Sequence, residues 1–355
     1  MNMYVPEQRK YTYIQGLRFL SALMVVLCHS TFYIKERLNP GIWFYNLGAN
    51  GVSLFFVISG FVIMLSGERL IKQGLGWRRF AIKRAERIVP LYWIYTTAKL
   101  LIMAFTFHMV LHARWDSSYI VKSYLFIPAR NVDGQIEPIL GVGWTLIFEM
   151  AFYALLNVSL ILKKDPLWVA APVILIFFGL SFLQLGLPLE LKFFANPLII
   201  EFLYGLMIAK WVRLADRMPR SLAIVGLAIG LLFLFLPRLG CFDTLSQSSI
   251  GFGLAAAVVV VCLVSLERND KSVSLRWLSF LGAASYSLYL VHPIITPMVP
   301  EVMHRLGVTN AWVALCACIV VALSGGVMSY LWLEKPVTRR LSRLTSVPAA
   351  SFGSE

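Results

Sequence analysis

The sequence predicts an all-α polytopic membrane protein, a bundle of about ten transmembrane helices with both termini on the cytoplasmic side. Three observations predict this fold class: the composition, a series of separate apolar runs, and the placement of the basic residues between them. Of the 355 residues, 59% are hydrophobic and 14% are charged, whereas soluble domains are about 45–50% apolar and about 25% charged. The composition therefore argues against an ordinary soluble protein.

The apolar runs have the length and pattern of transmembrane helices. A helical span needs about 20 mostly apolar residues. The strands of a membrane barrel are shorter and alternate with a period of two, a pattern that these runs do not show. In chain order, the ten predicted spans are 12–31, 48–66, 88–111, 139–162, 167–186, 193–210, 221–237, 247–266, 277–300 and 311–333.

The distribution of Lys and Arg predicts the orientation. With the N-terminus inside, 22 of the 32 basic residues fall in inner segments and 8 fall in outer loops, while Arg18 and Lys99 lie within spans. Cytoplasmic segments carry the excess of positive charge in membrane proteins. This bias predicts N-inside and C-inside, and it explains the net charge of +14 without nucleic-acid binding.

The domain organisation is predicted to be simple. Residues 1–343 form one transmembrane domain, and residues 344–355 form a short, small and polar tail that we expect to be disordered. The first run lacks a small-residue cleavage site, so we interpret it as a retained span rather than a signal peptide. The five cysteines include no C-x-x-C pair, which favours buried thiols over a disulfide framework. The oligomeric state stays open.

The first span carries two polar groups on one face. Arg18 and His29 are eleven residues apart, which puts them on nearly the same face of a helix and separates them by about 16 Å along its axis. Charged residues inside a span are costly and mark functional sites. The alternative is that Arg18 extends to the inner headgroups and that His29 caps the outer end.

The second span begins with small residues, and a basic stretch follows it. Gly51, Ser53, Ser59 and Gly60 either allow close helix packing or leave room for a substrate. The loop between the second and third spans carries a dense basic cluster made of Arg78, Arg79, Lys83, Arg84 and Arg87. It is either a signal for topology and lipid headgroups or a site for a cytosolic polyanion, because the guanidinium fork suits phosphate.

In the fourth span, Thr145, Glu149 and Tyr153 follow each other at intervals of four residues and therefore share a face. Glu149 lies near the middle of the span, where a carboxylate needs a partner such as Arg18 or His29, or a proton. A structural interhelical hydrogen bond is the alternative.

Two further features are weaker signals. His108 and His112 have a spacing that can hold a metal, but no third ligand is near them in the sequence and we predict no metal site. Lys99, within the third span, is expected to be buried and paired or to extend to the interface; it receives no role.

Several motifs occur in a fixed order across the chain. They are Arg18 and His29, the run Gly51 to Gly60 that reads GVSLFFVISG, Phe80 with Arg84, Arg87 and Pro90, Trp144 to Tyr153 around Glu149, the run Tyr286 to Pro293 that reads YSLYLVHP, and Glu334-Lys335-Pro336. Together they resemble acyltransferase family 3 of integral-membrane O-acyltransferases. The resemblance covers about residues 10 to 340. The family often has an acidic residue where this chain has Ser53.

The resemblance implies a membrane enzyme of the bacterial inner membrane. Such an enzyme transfers an acyl group, usually acetyl, from cytosolic acyl-CoA to a sugar hydroxyl of a cell-surface or exported glycan or its lipid-linked precursor. Members that modify exopolysaccharide are the most similar in size. The implied partners are acetyl-CoA or another acyl-CoA as donor substrate, a glycan acceptor and membrane lipids, with no tightly bound cofactor.

We assign roles to the candidate residues as follows. His29 is the predicted base, since imidazole titrates near neutral pH, and Glu149 is predicted to orient it or to stabilise its charge. Arg18, Arg84 and Arg87 are predicted to bind the phosphates of acyl-CoA. Weaker candidates for the acceptor site or the oxyanion are Ser53, Trp144, Tyr286, Tyr289 and His292. Direct attack by the hydroxyl is the simpler scheme, and an acyl-histidine intermediate is the alternative.

Two other function classes fit the same residues. Intramembrane Arg, Glu and His also occur in a proton-coupled transporter or flippase for a glycan or sugar derivative, which would need no acyl donor. A non-catalytic membrane scaffold would tolerate apolar residues at positions 29 and 149.

Overall fold

The structure, a computed structural model, is all-helical in the residues that it describes: 11–72, 76–105, 112–183, 185–212, 218–235, 245–269 and 275–345. Each of the ten predicted spans contains a helix. The helices are α1 (Thr12–Arg37), α2 (Asn50–Lys72), α3 (Trp77–Phe105), α4 (Ser117–Tyr124), α5 (Trp144–Ile161), α6 (Pro166–Leu180), α7 (Leu189–Phe194), α8 (Ile199–Lys210), α9 (Arg220–Phe235), α10 (Leu245–Asn269), α11 (Arg276–Ile295), α12 (Met298–Arg305), α13 (Ala311–Ser329) and α14 (Lys335–Thr345).

Among the residues that the structure describes, seven helical segments are long and apolar enough to cross a membrane: Thr12–Arg37, Asn50–Leu70, Trp77–Phe105, Gly141–Ile161, Ile250–Arg268, Arg276–Arg305 and Ala311–Thr345. The all-α polytopic fold class is thereby confirmed. Helices α6 and α9 are apolar but shorter. The predicted span 193–210 is divided between α7 and α8, because Asn196 and Pro197 interrupt the helix and the Asn196 side chain accepts the Leu198 amide hydrogen at 3.0 Å. The count of ten spans and the orientation stay predictions.

Two boundaries differ from the sequence prediction. The basic stretch is not a loop: α3 begins at Trp77, so Arg78, Arg84 and Arg87 belong to the first turns of the helix. This matters because a helix fixes the direction of each guanidinium, whereas a loop does not. At the other end of the chain, α14 continues to Thr345. The rest of the predicted tail, 346–355, lies outside the described residues.

Helices α1, α2 and α11 form the centre of the bundle. The α2 residues Leu54, Val57 and Phe61 are completely buried, and so are Val26 of α1 and Leu290 of α11. Helix α2 packs against α8 with unusually little separation, because Gly60 and Gly205 face each other across the contact. This supports the packing interpretation of the small residues in α2.

A side chain at Gly60 is expected to lower the stability of the protein. A Cβ atom at Gly60 would collide with the backbone carbonyl oxygen of Phe202, and backbone cannot move aside as a flexible side chain can. We expect Gly60→Ala to destabilise the protein by about 1–3 kcal/mol, the usual cost of overpacking, and to lower the melting temperature in detergent. Gly179→Ala is the matched control, because no atom lies within 4 Å of a Cβ atom built there. Equal melting temperatures for the two variants would contradict the close contact.

Candidate active site

A cavity in the bundle collects most of the predicted site residues. It lies between α1, α2, α3, α5 and α11, and one side of it is apolar, with Phe55, Phe56 and Val62 of α2. The polar side chains that line it are Arg18, Ser59, Arg84, Arg87, Thr145, Glu149, Tyr153, Ser285, Tyr286 and Tyr289. The stripe of Thr145, Glu149 and Tyr153 on α5 is therefore confirmed as one cavity-facing surface.

Three arginines give the cavity its charge. Arg84 and Arg87 are three residues apart on α3, and Arg18 faces them from α1. The guanidinium of Arg84 stacks over the rings of Phe80 and Tyr153, at 5.3 and 5.4 Å from their centroids. Such stacking holds an arginine in place without neutralising it.

Two carboxylates, Glu149 and Glu334, lie near enough for their charges to act on these arginines. Among the described residues, neither of them lies within 4.0 Å of an arginine nitrogen in this cavity, and the one hydrogen bond that Arg18 donates goes to the Gln15 amide oxygen at 3.3 Å. Glu149 instead accepts the hydroxyl of Tyr153, and Glu334 accepts the hydroxyl of Ser287 at 2.6 Å. Three cations facing two carboxylates leave an excess of positive charge that suits an anionic ligand.

The same arginines also line open grooves outside the cavity. Arg84 and Arg87 border a groove that contains Arg69 and Lys83. Arg18 and Arg87 border a second one, which contains Glu334, Lys335 and Arg339. The three arginines thus lie between the internal cavity and the largely basic grooves on the protein surface.

His29 has a partner that the sequence analysis did not predict. Its Nδ1 lies 2.9 Å from Nε2 of His292, and the two rings stack with centroids 5.1 Å apart. His292 is completely buried, and its Nδ1 lies 3.1 Å from the backbone oxygen of Leu288. The predicted pairing of Glu149 with His29 is not formed, because Glu149 lies in the arginine cavity and bonds to Tyr153.

The hydrogen bonds assign the tautomers of the two histidines. A carbonyl oxygen only accepts, so the proton of neutral His292 is on Nδ1 and its Nε2 accepts from Nδ1–H of His29. A neutral imidazole has one N–H, which leaves Nε2 of His29 unprotonated. In this arrangement His29 has a free lone pair in a fixed direction, as a general base requires.

Tyr289 connects the cavity to the histidine pair. Its hydroxyl donates to the Val142 oxygen at 3.1 Å and lies 2.9 Å from the Thr145 hydroxyl, and its ring centroid is 6.0 Å from that of His292. Tyr286 also lines the cavity, and its hydroxyl donates to the Ile88 oxygen at 2.9 Å.

Two of the weaker candidates lie away from this cavity. Trp144 packs its ring against Phe56 and Phe148. Ser53 donates to Oε1 of buried Glu201 at 2.7 Å. A carboxyl group from α8 is therefore present beside the position where the resemblance predicts an acidic residue. Sequence spacing could not show this, because Ser53 and Glu201 are 148 residues apart.

Of the two histidines with the spacing of metal ligands, His108 and His112, only one belongs to the described residues, and it lies after the end of α3 at Phe105. His108 lies outside the described residues. His112 is half-exposed, and its two ring nitrogens lie 2.6 Å from Asp133 and 3.0 Å from Glu36.

Comparison with known proteins identifies relatives along nearly the whole chain. The family model for the acyltransferase domain of acyltransferase family 3 matches residues 11–331. The chain is 32% identical to the exopolysaccharide production protein ExoZ of Rhizobium meliloti, over 83% of this chain and 91% of that protein. It is 26% identical to the acyltransferase MdmB of Streptomyces mycarofaciens, over 95% and 94% of the two chains.

A third relative is longer than this chain. The peptidoglycan O-acetyltransferase OatA of Listeria monocytogenes is 26% identical over 93% of this chain and 56% of its own length. No solved structure matches. Because the family model spans the helical bundle from α1 to α13, the chain belongs to acyltransferase family 3 and is a multi-pass acyltransferase of the inner membrane.

Proposed function

We propose that this acyltransferase moves an acetyl group from cytosolic acetyl-CoA to a hydroxyl of a cell-surface or exported polysaccharide or of its lipid-linked precursor. The names of the relatives support the reaction and the class of acceptor, since one acts in exopolysaccharide production and another O-acetylates peptidoglycan. The choice of acetyl-CoA as the donor depends on one observation about the cavity. In the part of the chain that the structure describes, the three arginines of the cavity form no ion pair with Glu149 or Glu334, and Tyr289 connects the cavity to a histidine with a free nitrogen.

The arginines are placed to bind the donor. The phosphates of CoA are the multiply charged part of the molecule, and arginine binds phosphate oxygens in pairs. We assign the nucleotide end to the basic grooves and the arginines Arg18, Arg84 and Arg87 to the phosphates at the cavity opening. The uncharged pantetheine arm then lies along the apolar side of the cavity beside Phe55 and Phe56, with the thioester directed toward Tyr289.

The histidine pair carries the chemistry. Nε2 of His29 takes the proton of the acceptor hydroxyl as its oxygen attacks the thioester carbonyl carbon, and a tetrahedral oxyanion forms. The oxyanion collapses, the carbon–sulfur bond breaks, and the CoA thiolate leaves and receives the proton from His29. His292 acts as a positioning residue, because its bond to Nδ1 of His29 fixes the ring and keeps Nε2 unprotonated. Direct transfer needs no covalent enzyme intermediate.

The proposal is tested with the purified protein in lipid nanodiscs. We expect label from [¹⁴C]acetyl-CoA to appear as an O-acetyl ester on a polysaccharide acceptor, with release of one free CoA thiol for each ester formed. Mass spectrometry of the glycan locates the ester. A proton-coupled transporter predicts movement of the glycan across proteoliposomes with no ester and no thiol release, and that result would replace the enzyme with the carrier. Label retained on the protein after rapid quenching would favour the acyl-histidine scheme over direct transfer.

A further inference from the structure

A second pocket lies on the other side of His29 from the arginines. It is bounded by α1, α3, α11 and α12, and its lining includes Tyr33, Lys99, Pro293 and Glu301. Tyr33 is one helical turn beyond His29 on α1, and the centroids of the two rings are 6.0 Å apart. Pro293 directly follows His292 on α11. The histidine pair therefore lies between the arginine cavity and this second pocket.

Two basic side chains, Arg37 and Lys99, line this pocket beside His112, and the Arg37 guanidinium lies 3.9 Å from a Glu36 carboxylate oxygen. Lys99 is half-buried within α3, a helix apolar enough to cross a membrane, where an ammonium group is costly unless it has a partner. Within the part of the chain that the structure describes, its Nζ donates no hydrogen bond and no carboxylate lies within 4.0 Å of it. It is close enough to His29 for its charge to act on that ring.

The carboxylates around the pocket have other partners. Glu301 pairs with Arg305 at 2.9 Å, and Glu36 lies 3.0 Å from the ring of His112. Glu137, in the loop before α5, attracts Lys99 electrostatically without an ion pair. Burial raises the pKa of the Glu137 carboxyl, while the charge of Lys99 acts to lower it. Within the described residues, none of these carboxylates therefore forms an ion pair with Lys99.

We propose that this pocket binds the acceptor and that Lys99 binds an anionic group of the acceptor next to the hydroxyl that reacts. The inference rests on the proposed function and adds that the acceptor carries a negative charge next to the hydroxyl that reacts. The ring of Tyr33 and the Pro293 ring supply apolar surface for a sugar face, and Lys99 selects a carboxylate or phosphate. Such a group belongs either to an acidic sugar or to the phosphate of a lipid carrier.

The test compares three acceptors with the full-length protein in nanodiscs: a neutral oligosaccharide, the same oligosaccharide with a uronic acid, and the neutral oligosaccharide linked to polyprenyl diphosphate. We expect wild type to prefer at least one anionic acceptor. In Lys99→Gln, the ratio of kcat/KM for that acceptor to kcat/KM for the neutral acceptor falls about tenfold or more, as loss of a charge-assisted contact predicts. Any effect of the lost charge on His29 is common to all three acceptors and cancels in this ratio, and KM for acetyl-CoA changes less than about twofold. The acceptor that loses its advantage identifies the source of the anionic group.

Two variants serve as controls. Lys99→Arg retains the charge and is expected to keep the preference for anionic acceptors. Lys122→Gln removes a lysine that is paired with Glu190 at 3.4 Å and lies outside the pocket, and it is expected to leave all three acceptors unchanged. Equal losses for neutral and anionic acceptors in Lys99→Gln, or no loss at all, would overturn the inference while leaving the proposed function intact. Absence of transfer to every acceptor in wild type would refute the proposed function itself.

Discussion

Replacement of His29 by Ala is expected to lower kcat for acetyl transfer by about 10²–10⁴-fold, the contribution of a positioned general base. The physical reason is the tautomer that the structure assigns. Nδ1 of His29 is hydrogen-bonded to His292, so Nε2 of His29 carries the free lone pair. Alanine has no group that could replace this nitrogen. The measurement is the steady-state rate of ester formation at saturating acetyl-CoA and acceptor.

The His29 variant has an internal control. His29 lies outside the arginine cavity, so the dissociation constant of acetyl-CoA, measured by titration of the purified variant, should match that of wild type. A His29→Ala protein that folds, binds the donor and retains more than about a tenth of the wild-type kcat would remove His29 as the base.

The same measurement on His292 separates positioning from a purely structural role. His292→Gln can still offer an oxygen to Nδ1–H of His29, whereas His292→Phe fills the space without an acceptor. We expect the Gln variant to retain more activity than the Phe variant, with equal melting temperatures. Equal losses of activity in both variants would mean that the ring of His292 is needed for another reason.

The regular period of a helix predicts that Arg18 and His29 share a face of α1. The structure has Arg18 in the lining of the cavity and His29 against His292, outside that lining. The partner of His29 could not be found in this way. His292 is 263 residues away. It reaches His29 through the packing of α11 on α1, which belongs to the tertiary structure and leaves no local pattern in the sequence. The sequence favours Glu149 as the partner because it is a carboxylate, yet Glu149 accepts a hydrogen bond from the hydroxyl of Tyr153 on its own helix.

The basic stretch illustrates a second limit. A high density of Arg and Lys resembles a surface loop, and the sequence predicted one. The apolar residues Phe80, Ile88 and Leu91 between and after the basic ones instead extend α3 by about three turns. This helical geometry divides the basic residues into two groups. Arg78 and Arg79 are exposed, whereas Arg84 and Arg87 face the cavity.

Because Arg84 and Arg87 face the cavity, their replacement is expected to have the second large effect, on the KM for acetyl-CoA. The double variant Arg84→Gln plus Arg87→Gln should raise KM for acetyl-CoA by about 10²-fold or more, since each of the two charge-assisted contacts to phosphate contributes about 1.5–3 kcal/mol. At saturating donor, kcat should fall much less, because these arginines contact the phosphates and not the reacting atoms. In wild type, KM for acetyl-CoA should rise with ionic strength, since salt screens charge pairs at the cavity opening. The difference in KM between wild type and the double variant should therefore shrink.

The control for this variant lies one to three turns earlier on the same helix. Arg78→Gln plus Arg79→Gln removes the same two charges from the same inner segment, so an effect through membrane orientation should appear equally in both double variants. An effect through donor binding should appear only at Arg84 and Arg87, because only these two line the cavity. Equal losses in the two pairs would support the topogenic interpretation.

A shortened donor makes the assignment specific to phosphate. Acetyl-pantetheine has the thioester and the arm of acetyl-CoA but no phosphate, so it has nothing for Arg84 and Arg87 to bind. In wild type, acetyl-CoA should be the better substrate by the margin that the phosphates supply. In the double variant this margin should shrink by the contribution of Arg84 and Arg87, while Arg18 retains part of it, and kcat/KM for acetyl-pantetheine should stay unchanged within about twofold. If both donors lose activity to the same extent, the two arginines shape the cavity rather than bind the phosphates, and the donor would then have to be held by groups elsewhere in the grooves.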